Sequence, residues 1–156
     1  MFGLFKSEPF RDGQLGELRR SRGHWKGSLT LASCGPFRLS LVGTREAPDP
    51  VALALAKELP DRFKGLMPRI QRGLFEHYKP YKEAVDMGDQ TGSPRPNIES
   101  AEAVWPDVKP AHVLIELLEG VPTMEIAFRA WDVEHTVGAR FRNWQFVELN
   151  GSVRAQ

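Results

Sequence analysis

One cysteine in 156 residues, Cys34, excludes an intramolecular disulfide and points to a reducing compartment. It precedes Gly35-Pro36 in an expected turn, and no base stands beside it, so it reads as an inert thiol. An excess of one charge sign is also lacking. The formal net charge is +1, which provides no field for nucleic acid or an acidic membrane, so neither is expected as a partner. No apolar run approaches the roughly 20 residues that span a bilayer. Met1-Phe2-Gly3-Leu4-Phe5-Lys6 is too short for a secretory signal, and residues 1–13 are read as an N-terminal tail. These points together predict a cytoplasmic chain. No Walker loop, dinucleotide fingerprint, Cys-x-x-Cys, His-Glu-x-x-His or Gly-x-Ser-x-Gly is present, so the commonest catalytic signatures are missing and no cofactor is expected.

The composition, 41% apolar and 26% charged, suits one globular domain over 1–156 with one core. Period-two alternation marks a strand at Trp25, Gly27, Leu29 and Leu31, and another at Phe37, Leu39 and Leu41. Ser33-Cys34-Gly35-Pro36 links them, with Leu31 set opposite Phe37 and Leu29 opposite Leu39. Leu15 to Arg20 is a shorter strand, and Ser21-Arg22-Gly23 a turn.

Asp49-Pro50 then opens a helix, Asp as N-cap and Pro at the first helical position. Leu59, Phe63, Leu66, Ile70, Leu74, Tyr78, Tyr81 and Val85 form one apolar stripe. Pro60 and Pro68 predict a break and a kink, hence two or three helical pieces, and Gly65 and Gly73 weaken them further. Residues 86–98 read as a mobile loop, and Ser100 as the cap of a short helix ending before Pro106.

Strands return after it. Val113, Ile115 and Leu117 share a face, while Leu114 and Leu118 make the other apolar too, which predicts a central strand covered on both sides. Met124, Ile126 and Phe128 alternate next, then Val137, Ala139 and Phe141. A four-residue loop sets Trp131 opposite Thr136, Phe128 opposite Ala139, Ile126 opposite Phe141, and an exposed Glu125 opposite Arg142. A last strand runs from about Trp144 to Leu149, its inward face ambiguous. The grouping predicts an α+β fold: an antiparallel sheet, made of an N-terminal hairpin and a C-terminal meander, with a central helical segment packed on one face.

Polar chemistry is densest at Trp131, Asp132, Glu134 and His135. Two carboxylates and an imidazole on a tight loop can ligate a metal or act as acid and base. The structural alternative is an Asx-turn at Asp132 with Trp131 covering the sheet end. A basic cluster, Arg19, Arg20, Arg22, His24 and Lys26, reads as a solvated strand edge. Phe75, His77, Tyr78, Tyr81 and Lys82 continue the helical stripe.

The run Trp131-Asp132-Val133-Glu134-His135-Thr136-Val137-Gly138, with Phe141 and the ending Val147-Glu148-Leu149-Asn150-Gly151, resembles a bacterial family of small domains of unknown function. That family carries a Trp-Asp-x-Glu-His-x-x-Gly hairpin after a helical middle. The resemblance implies an immunity-like or regulatory binding protein without catalytic activity. Residues 86–97 and the Asp132–His135 turn are then the expected contact surfaces for a protein partner. The alternative from the residues themselves is a metal-assisted hydrolase or small-molecule enzyme using Asp132, Glu134 and His135. A homodimer formed through Leu114 and Leu118 is the third reading.

Overall fold

The computed structural model describes residues 7–86, 97–131 and 135–154. Its strands are β1 (Phe10–Asp12), β2 (Gly16–Ser21), β3 (His24–Leu31), β4 (Gly35–Val42), β5 (Lys109–Leu118), β6 (Val121–Arg129), β7 (His135–Arg142) and β8 (Gln145–Arg154). One helix, α1 (Pro50–Asp86), separates β4 from β5. The eight strands form one sheet in chain order. Neighbours are antiparallel except β4 and β5, which run parallel. A parallel pair needs a crossover connection, and α1 supplies it. The expected α+β class is the observed one, but each half is a four-stranded meander, and both belong to the same sheet. Phe10–Asp12, within the stretch read as a tail, pairs with β2.

Turn geometry fixes the hairpin registers. Arg22-Gly23, Glu119-Gly120 and Asn143-Trp144 all have positive φ at both residues, the pattern of two-residue hairpin turns. Trp144 is a bulky residue in that region, and the guanidinium of Arg62 lies 4.7 Å from its ring centroid. Two expected registers are corrected, each by two residues. Leu29 pairs with Phe37 and Leu31 with Gly35, because the link is only the 3-10 turn Ala32–Cys34. Ile126 pairs with Ala139, Phe128 with Val137 and Glu125 with Arg140, because the ladder ends at Arg129 and Thr136 and Trp131 leaves the sheet. A two-residue slip keeps every side chain on its face, so alternation alone could not detect it.

The helix is also corrected: α1 is one helix of 37 residues through Pro60, Pro68 and Pro80. Asp49 caps it, its Oδ2 accepting from the N–H groups of Val51 and Ala52 at 3.0 Å. Pro68 and Pro80 lie on the exposed side, where the carbonyls they leave unpaired can bond water. The opposite stripe, including Leu59, Phe63, Ile70, Leu74 and Tyr78, is buried. At about 1.5–3 kcal/mol per buried large apolar side chain, that stripe outweighs the propensity cost. Phe37 joins the layers, edge-on to Phe63 at 6.3 Å and to Phe128 at 5.5 Å between centroids. A helix of this length extends about 55 Å, enough to cross a sheet roughly 34 Å wide.

Gly73 is buried, and a Cβ there would lie 3.5 Å from Leu149 Cδ1 and 3.6 Å from Phe146 Cζ. The ambiguous last strand is explained by a bulge. Arg140 pairs with Glu148 but Phe141 pairs with Phe146, so Val147 is extra. Phe146 and Leu149 therefore both face α1, and Val147 is exposed.

The segment Ala101–Asp107 is a 3-10 helix that runs through Pro106, and Ser100 makes no side-chain cap bond, contrary to the expected α-helical stop. β5 is central but, among the described residues, covered on one face only. Ala111, Val113 and Ile115 are buried beneath the helical layer, while Leu114 and Leu118 remain half-exposed on the open face.

Candidate functional site

Of the four residues singled out in the sequence, Trp131 and His135 are described, and Asp132 and Glu134 lie outside the described residues. Trp131 is buried. Its indole N–H donates to His77 Nδ1 at 2.9 Å, which makes Nδ1 an acceptor and leaves the ring proton of neutral His77 on Nε2. The indole also packs on Tyr78, with centroids 5.2 Å apart. His77 in turn stacks on Tyr81 at 5.7 Å. Tyr78 itself is buried, and its hydroxyl accepts the backbone N–H of Ile98 at 3.1 Å. Thus Ile98, which follows residues 87–96, and Trp131, which precedes 132–134, both rest on Tyr78. His135 opens β7 and is half-buried.

The sheet's open face carries a second polar array. Side chains there form cross-strand rows, since alternate residues point to one side. One row runs Lys26, Ser40, Leu114, Glu125, Arg140 and Glu148. The next holds Arg38, His112, Ala127 and Gly138. A groove of about 420 Å³ lies over them, lined by Lys26, Arg38, His112, Leu114, Leu118, Glu125 and Arg140 among others. Glu125 is almost buried, its carboxylate 3.5 Å from His112 Nε2 and 3.7 Å from Arg140 Nη2. The room for it is provided by Gly138, where a Cβ would fall 2.8 Å from Glu125 Cδ. Arg140 is bonded to Glu148 at 2.6 Å, and His24 to Glu116 at 2.7 Å.

The family model for DUF6985, a domain of unknown function, matches residues 14–153. The chain belongs to the DUF6985 family. No curated protein and no solved structure matches it. The matched span holds β2 to α1, the Trp131 cluster and every groove residue of this DUF6985 chain.

Among the described residues no group of three His, Cys, Asp or Glu side chains is placed to hold a metal ion. No described helix is long and apolar enough to cross a membrane. Cys34 is half-buried, and desolvation pushes its thiol pKa up, the reverse of what a nucleophile needs. The basic cluster of β2 and β3 is divided: Arg19 pairs with Glu17 at 2.6 Å, His24 turns to Glu116, and Lys26 lines the groove. His112 and Glu125 had not stood out in the sequence as a site. The available signal was two ionisable residues on otherwise apolar strands, and it lacks specificity until the strands are paired.

Proposed function

We propose that this chain is a bacterial, cytoplasmic protein-binding module, immunity-like or regulatory, that works without catalysis. The contact residues proposed are 86–97 with Trp131, Asp132, Glu134 and His135. The observation that supports this reading is the shared footing of Ile98 and Trp131 on Tyr78. Ile98 and Trp131, far apart in sequence, meet on one buried side chain of α1, and residues borne on a rigid scaffold are where recognition concentrates.

The test is affinity capture of the tagged chain from its native cells at low salt, beside an Asp132→Ala/Glu134→Ala double variant. The wild type should retain a stoichiometric protein partner and the double variant should lose it, with melting temperatures within about 2 °C of each other. Recovery of the same material by both, or of no partner by either, contradicts the proposal. Metal-stripped protein melted with zinc, manganese or magnesium should show no shift. A shift abolished by Asp132→Asn or His135→Ala would favour the hydrolase instead.

A further inference from the structure

We propose that the groove on the open sheet face binds a small organic anion that has an apolar body and a hydrogen-bond donor. The inference does not depend on the reading of a protein partner. Its volume, about 420 Å³, suits such a ligand; small-molecule sites fall between roughly 300 and 1,000 Å³.

The chemistry along the groove is ordered. Lys26 and Arg38 supply positive charge on the β3–β4 side, and Leu114 and Leu118 give an apolar strip along β5. His112 and Glu125 stand beyond it. Lys26 has no ion-pair partner among the described residues, so its ammonium is available to an anionic group.

Glu125 is the unusual group. Its side chain is only 10% exposed, yet His112 at 3.5 Å and Arg140 at 3.7 Å stand too far for strong hydrogen bonds. A buried carboxylate with loose partners is costly to keep. Seated in the gap over Gly138, it lines the groove, and its carboxylate is the acceptor assigned to the ligand's donor.

Spacing sets the ligand's size. Lys26 and Glu125 share one row with Ser40 and Leu114 between them. Three strand spacings separate their backbones by roughly 14 Å. After both side chains reach inward, the gap fits one or two fused rings or a short aliphatic body lying on Leu114.

The probe is 8-anilinonaphthalene-1-sulfonate, which combines a sulfonate, a naphthalene body and an amine N–H. The purified full chain is titrated by fluorescence at pH 7 and low ionic strength. One equivalent should bind with a micromolar Kd. Lys26→Glu should weaken binding at least tenfold. Lys64→Glu, the same charge change on the exposed side of α1, should stay within twofold of wild type. N-phenyl-1-naphthylamine, which lacks the sulfonate, should bind at least tenfold more weakly. Ser40→Asp, in the same row, gives a second disruption should circular dichroism show Lys26→Glu unfolded. No binding, equal binding by wild type and the groove variants, or equal binding of the two dyes overturns the proposal.

Discussion

Trp131 does two things at once: it fills space against Tyr78 and donates a hydrogen bond to His77. The two contributions are separable. Trp131→Phe keeps most of the packing and loses the bond, so urea unfolding should show a loss of about 1 kcal/mol. Trp131→Ala should cost about 3–5 kcal/mol through the cavity it leaves. Equal losses would mean that the hydrogen bond, not the packing, holds the indole. Gly138 and Glu125 form a coupled pair, because a methyl group at 138 meets the carboxylate at 2.8 Å. Gly138→Ala should destabilise by about 1–3 kcal/mol. Adding Glu125→Ala should recover part of that loss, measured as a non-zero coupling in a double-mutant cycle. Additive effects would contradict the packing described. Asp12 introduces a pH dependence. The backbone N–H groups of Leu15 and Gln14, then Lys57, hold its carboxyl below the ordinary 3.8, against the opposing effect of burial. A depressed folded-state pKa stabilises above the unfolded value, and the gain is lost as pH falls through the folded value. Asp12→Asn should therefore be less stable than wild type at pH 7, and the two curves should converge well below pH 3.8.

At the scale of elements, the helix carries the clearest conflict between local and tertiary preference. Pro68 and Pro80 each remove a hydrogen bond, yet α1 continues because its other side is buried. Pro68→Ala should stabilise the protein by about 2 kcal/mol, the interior-proline cost less the entropy that proline removes from the unfolded chain. Thermal and urea melts check this, and an unchanged or lower stability would show that α1 is adapted to its proline. The same conflict explains what was legible in the sequence. Strand faces, the Asp49 cap, the helical stripe and the α+β class could be read from period and capping. The two registers could not, since a slip of two preserves the faces. The inward side of β8 was ambiguous because the bulge at Val147 breaks the alternation. Prolines suggested breaks because propensity is local and the sheet beneath the helix is not. Of the candidate site, Trp131 and His135 were visible as a cluster, but the role of Tyr78 in tying Trp131 to Ile98 needed the fold. The groove was hidden for a related reason: Lys26, Arg38, His112 and Glu125 come from four strands and meet only in cross-strand rows.

The whole molecule is a two-layer body with unequal faces. Among the described residues, one face of the sheet packs against α1, and the other carries paired charges around a groove. The aromatic platform of His77, Tyr78 and Trp131 belongs to the helical layer. Recognition of a protein partner, the proposed function, is checked by sedimentation velocity of the labelled chain added to lysate of its own cells, against the same chain in buffer. In buffer the boundary should match a species of 17.6 kDa or its dimer. In lysate a discrete heavier boundary is expected, collapsing to the buffer value with the Asp132→Ala/Glu134→Ala variant. A wild-type boundary identical in buffer and lysate would contradict it.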